Sequence, residues 1–127
     1  MTAPRKTILI VEDEPHLMAV LRALIQYSEF KVIQASDGQE AVEKLREGLP
    51  DAIVLDIKMP RLDGWGVLTH LQSDPAMSAV PVIVYSTIAD PKDVQRGLSL
   101  GARTYISKEK DVIEVVAALK KIFGQNA

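Results

Sequence analysis

Short runs of consecutive apolar residues recur along the chain: Ile8-Leu9-Ile10-Val11, Ala52-Ile53-Val54-Leu55, Val82-Ile83-Val84-Tyr85 and the weaker Thr104-Tyr105-Ile106. They are continuous, rich in β-branched residues and too short for helices, which is how strands buried on both faces of a parallel sheet read. Lys31-Val32-Ile33-Gln34-Ala35 fits a fifth strand at an edge. Helical periods fill the gaps. Leu17, Val20, Leu21, Leu24 and Ile25 share one face, with Pro15 suited to the first turn. A second helix starts at Asp37, where Glu40 three residues on completes a capping-box pattern, and ends near Gly48. A third carries Val67, Leu68 and Leu71 and stops by Asp74-Pro75. Asp90-Pro91 caps a fourth that runs to about Gly101, and Val112, Val115, Val116, Leu119, Ile122 and Phe123 form the stripe of a fifth. Five strand–helix alternations in strict order call for right-handed crossovers and one parallel sheet with helices on both faces.

Composition narrows this to one compact domain over 1–127, with its core over about 6–123. The 127 residues are 47% hydrophobic and 25% charged, enough for a core without disulfides or structural metal. The absence of cysteine excludes a thiol nucleophile, a redox CxxC and a cysteine zinc site. No apolar run is long enough to span a bilayer, and Met1-Thr2-Ala3-Pro4-Arg5-Lys6-Thr7 lacks the apolar core of a signal peptide, so the expected location is the cytoplasm, with no membrane contact. Residues 92–127 carry 7 basic and 4 acidic side chains against 8 and 13 in residues 1–91. That excess is too small and too mixed for direct nucleic-acid binding. No linker, repeat or output domain is expected.

In an open parallel sheet the ligand site lies outside the carboxyl ends of the strands, where strand order reverses. The first strand hands over Glu12-Asp13-Glu14, the third Asp56, the fourth Ser86-Thr87 and the fifth Ser107-Lys108. Carboxylates gathered there repel unless neutralised, and Mg2+ suits them because it takes oxygen ligands from one or two carboxylates; Asp13 and Asp56 are the candidates, with Glu12 further out. A carboxylate beside that ion, with an ammonium and a hydroxyl nearby, is suited to accept a phosphoryl group: Asp56 attacks in line, Lys108 offsets charge on the equatorial oxygens, and Ser86 hydrogen-bonds one of them.

Four segments taken in order, Ile8 to Glu14, Ile53 to Pro60 with Asp63-Gly64, Pro81 to Ser86, and Gly101 to Lys108, resemble a response-regulator receiver domain of two-component or phosphorelay signalling, of the single-domain type. The resemblance implies an α/β, flavodoxin-like (βα)5 doubly wound sheet with strand order 2-1-3-4-5. It implies that Asp56 is the phospho-acceptor, fed by a histidine kinase or a histidine phosphotransfer protein, in a signalling protein that is no enzyme beyond assisting its own phosphorylation and dephosphorylation. Asp13, Asp56 and the backbone carbonyl of Lys58 would hold Mg2+, Glu12 would act through water, and Lys108 would pair with the phosphoryl group. Ser86 and Tyr105 would form the switch, and the fourth helix, fifth strand and fifth helix the face that binds a downstream protein target.

Three positions depart from the family pattern. Glu12 stands for the commoner Asp, and Thr87 for a small residue after the switch hydroxyl, where its bulk narrows access to Asp56. Glu109 follows Lys108 where the family usually has proline in a cis bond, which predicts a rerouted or strained loop. A flavodoxin-like electron carrier shares the fold, but Glu12-Asp13-Glu14-Pro15 would repel a flavin phosphate; no GxxxxGK[ST] supports a nucleotide enzyme. A receiver-fold interaction module that is never phosphorylated is the alternative.

Overall fold

The computed structural model describes residues 5–124. Its elements are β1 (Thr7–Val11), α1 (Pro15–Tyr27), β2 (Lys31–Ala35), α2 (Gly38–Glu47), β3 (Ala52–Leu55), α3 (Gly64–Gln72), α4 (Pro75–Ser78), β4 (Val82–Ser86), α5 (Pro91–Ser99), β5 (Thr104–Ser107) and α6 (Ile113–Ile122). All five strands are parallel, in the order β2-β1-β3-β4-β5. The chain turns one way from β1 to β2 and the other way to β3, so the reversal lies between β1 and β3.

The apolar runs divide by parity. Ile8, Ile10, Ala52, Val54, Ile83 and Tyr85 pack with Met18, Leu21 and Ile25 of α1 and Val115, Val116 and Leu119 of α6. Leu9, Val11, Ile53, Leu55, Val82 and Val84 point the other way, onto Ala41 and Leu45 of α2 and Val67, Leu68 and Leu71 of α3. Covering both faces is what requires the central strands to be apolar throughout. β2, on the edge, keeps only Ala35 fully buried.

Several local expectations need correction. The third helix ends at Gln72, and a separate single turn, α4, follows because the Asp74 side chain accepts from Met77 N at 3.0 Å and Pro75 occupies the first turn. The fourth and fifth helices expected from the sequence are therefore α5 and α6. Asp37 caps α2 by accepting from Glu40 N at 2.8 Å, but Glu40 reaches one residue further back than a capping box requires, accepting from the backbone N–H and the hydroxyl of Ser36. Asp90 precedes Pro91 as the N-cap of α5 without a side-chain cap bond. Among the described residues there is no cis peptide bond, so the Lys108–Glu109 bond is trans. The loop after β5 is a turn closed on Ser107, whose carbonyl accepts from Lys110 N at 2.9 Å and whose hydroxyl accepts from Glu109 N at 3.1 Å. No helix among them is long and apolar enough to cross a membrane.

Candidate functional site

The backbone ladder delivers the site. Glu12 N donates to Ala35 O, Asp56 N to Val11 O, and Lys108 N to Ser86 O, each at 2.9–3.0 Å. Each bond extends parallel pairing one step past a strand end, so Glu12, Asp56 and Lys108 leave the sheet at one level. Their side chains meet: Lys108 Nζ lies 2.9 Å from Glu12 Oε1 and 3.1 Å from Asp56 Oδ2. Glu12 and Asp56 are almost fully buried, at 3% and 4% exposure, while Asp13 is exposed at the rim. One carboxylate oxygen from each of Glu12, Asp13 and Asp56 lies within 4.8 Å of the other two.

Three carboxylates this close have one ammonium among them, and the remaining negative charge suits a cation that takes oxygen ligands. The cluster fits Mg2+. Burial pushes the Glu12 carboxyl above the usual carboxylate range, the bond from Lys108 opposes this, and the Asp56 charge adds to it. Burial works against the Lys108 ammonium, but its bond to Glu12 and the nearby Asp56 charge outweigh that and hold it above an ordinary lysine. The remaining acceptors are tied down by backbone: Ile57 N donates to Asp56 Oδ1 at 2.8 Å, and Glu14 N to Glu12 Oε2 at 3.1 Å. Glu14 instead serves as the N-cap of α1, accepting from His16 N and Leu17 N, and those bonds lower its pKa.

Ser86, fully buried, has its hydroxyl oxygen on Ile88 N at 3.1 Å. The Tyr105 hydroxyl donates to the carbonyl of the same residue, Ile88. Both residues expected to form a switch are therefore tied to the backbone of one residue, Ser86 to its N–H and Tyr105 to its carbonyl. Burial pushes the Tyr105 phenol up to about 12. Lys58 is exposed, two places beyond Asp56 at the start of the β3–α3 loop, and Thr87 is exposed beside Ser86. Trp65 packs against Tyr105 rather than against the acids.

Sequence reasoning missed three features. Glu12 pairs directly with Lys108, at a distance shorter than that to Asp56. Ile88 joins the two switch candidates through its backbone, which carries no sequence signal. Arg61, in the left-handed region at φ 66°, grips Asp37 through Nε and one terminal nitrogen at 2.9 and 3.0 Å and ties the β3–α3 loop to the start of α2. That clamp holds Asp37 below the usual carboxylate range and raises Arg61. A Cβ on Gly38 would collide with the Leu62 backbone, so glycine there lets the loop close.

Comparison with known proteins places this geometry. Residues 8–120 match the family model described as response regulator receiver domain. The chain is 40% identical over 122 residues to the transcriptional regulatory protein PrrA of Mycobacterium tuberculosis, covering 96% of this chain and 51% of that protein. It is 39% identical over 115 residues to a gliding motility regulatory protein of Myxococcus xanthus, covering 91% of this chain and 15% of the relative. Among solved structures, the signal receiver domain of a signal transduction histidine kinase from Syntrophus aciditrophicus superposes with a TM-score of 0.85 at 31% identity, covering 94% of this chain and 90% of that one. The chain thus spans about half or less of these curated relatives.

Proposed function

Because the chain belongs to the response-regulator receiver domain family of two-component signalling, we propose that it accepts a phosphoryl group on Asp56 from a phosphohistidine donor, a histidine kinase or a histidine phosphotransfer protein, in the cytoplasm. The observation that carries this reading is the convergence of Glu12 and Asp56 within 3.1 Å of the Lys108 ammonium, with Asp13 at the open rim. The reading takes residues 6–123 as one receiver unit.

Asp56 is the nucleophile. A carboxylate oxygen forms the new O–P bond while the P–N bond to the donor imidazole breaks, and the imidazole leaves with the electron pair. The Ile57 N–H holds Oδ1 and fixes the carboxylate plane, so little orientation remains to be lost on reaction. Lys108 already spans the two buried acids and turns to the incoming phosphoryl oxygens, where a charge-assisted bond is stronger than a neutral one. Asp13, Asp56 and the Lys58 carbonyl would hold Mg2+, with Glu12 acting through water. When bound, that ion neutralises charge on the transferring group. Ser86 exchanges its bond from Ile88 N for one to a phosphoryl oxygen, and Tyr105, bonded to the Ile88 carbonyl, forms the other half of the switch. The face made by α5, β5 and α6 then carries the signal to a protein target.

Intact-mass measurement after incubation with acetyl phosphate tests this. The expected result is one added phosphoryl group that requires Mg2+ and disappears in Asp56→Asn. No adduct with donor, Mg2+ and kinase all supplied would instead support an interaction module that is not phosphorylated.

A further inference from the structure

A stack of side chains outside the acid cluster links α3, α5 and β5. The Arg96 guanidinium carbon lies 4.2 Å from the Trp65 ring centroid, a cation–π contact. The Trp65 and Tyr105 centroids are 6.5 Å apart with the planes tilted by 32°. On its other side the Tyr105 ring lies against Gly97, where a Cβ would stand 2.5 Å from Cδ2 and 2.6 Å from Cε2 of that ring. Gly97 is buried inside the nine-residue α5, where glycine is unfavourable for the helix itself, so the contact with the ring supplies its reason.

We propose that Trp65, Arg96 and Gly97 form a latch that seats the Tyr105 ring in this slot before any phosphoryl group is present. The ring lies where a side chain on Gly97 would stand, its hydroxyl is anchored on the Ile88 carbonyl, and Trp65 packs against it. Arg96, adjacent to Gly97 on α5, pins the indole to the helix that forms the floor. Ser86 in turn holds the Ile88 N–H. If the seated ring belongs to the phosphorylated arrangement, linkage requires the latch and the phosphoryl group to strengthen each other by the same factor. This last step rests on Asp56 being the acceptor; the seating of the ring does not.

Nuclear Overhauser contacts between the Tyr105 ring and the Gly97 α protons, measured on the full unmodified chain, test the seating. They are expected in the wild type, weakened in Arg96→Gln and in Trp65→Ala, and replaced by an outward ring in Gly97→Ala. Arg96 is exposed, so its variant keeps the fold if Gly97→Ala does not. Beryllofluoride with Mg2+ should then bind Arg96→Gln about two- to fivefold more weakly than wild type, the worth of one exposed cation–π contact. Contacts absent in the wild type, or undiminished in both Arg96→Gln and Trp65→Ala, overturn the latch. Equal beryllofluoride affinity with weakened contacts overturns its coupling to the site. A wild type that shows the contacts but binds no beryllofluoride counts against phospho-acceptance and leaves the seating intact.

Discussion

Replacing Lys108 with methionine removes the one cation that both buried carboxylates share while keeping the length of the side chain. In the structure the ammonium sits 2.9 Å from Glu12 and 3.1 Å from Asp56, whose side chains are 2% and 4% exposed, against 17% for the lysine. Removing one partner from a buried ionic group strands the remaining charge and typically costs about 3–5 kcal/mol; the part-exposed lysine and the open rim argue for the lower end, about 3 kcal/mol. For a chain of this size that lowers the unfolding midpoint by roughly 10 °C. The loss depends on pH. Burial already raises Glu12 in the folded state, and loss of the lysine bond raises it further. A carboxyl raised on folding binds more protons folded than unfolded, so stability falls as pH rises from the unfolded value of 4.5 through the raised folded value. The variant should therefore be close to wild type near pH 5 and furthest below it near pH 8. Millimolar Mg2+ should restore more stability to the variant than to the wild type, because no ammonium competes for the acids. Thermal unfolding followed by circular dichroism at several pH values, with and without Mg2+, measures all of this. Equal stability at pH 8, or a deficit that does not shrink toward pH 5, would show that Lys108 does not shield the two buried carboxylates.

Three further substitutions probe separate parts of the structure. Gly38→Ala forces a methyl group into the Leu62 backbone and should cost about 1–3 kcal/mol in urea unfolding; an unchanged midpoint would mean that the β3–α3 loop yields freely. Ser86→Ala removes the hydroxyl assigned to the phosphoryl group and should lower beryllofluoride affinity about tenfold, the worth of one charge-assisted bond of ~1.5 kcal/mol, as read by titration calorimetry. Thr87→Ala should speed both phosphorylation from acetyl phosphate and the subsequent loss of the phosphoryl group; unchanged rates in rapid-mixing measurements would remove Thr87 from the access path.

The sheet was legible because burial on both faces leaves an unmistakable mark on Ile8-Leu9-Ile10-Val11 and Ala52-Ile53-Val54-Leu55, and because each run is followed at once by the residue it presents. The cap at Asp37 was legible, and its side chain accepts from Glu40 N; Asp63 and Asp74 accept from backbone N–H in the same way but were not read as caps. The single turn α4 was not legible, because four residues are too few for a periodic signal to outweigh Asp74-Pro75 read as a stop. Within the site, residue types at strand ends foretold which groups would gather but not how they would pair. The preference of Lys108 for Glu12 depends on side-chain length across two strands. The joint anchoring of Ser86 and Tyr105 on Ile88 depends on main-chain atoms that every residue carries, and Arg61 reaches Asp37 through a backbone turn that neither glycine nor asparagine announces.

Asp56 is the group proposed to take the phosphoryl. Borohydride reduction of the acetyl-phosphate-treated protein converts an aspartyl phosphate to homoserine, and peptide mass spectrometry then reads the position. Homoserine at 56 and at no other acid, formed only when Mg2+ was present, is the predicted result. Homoserine at Asp13 or elsewhere with Asp56 unmodified would contradict it.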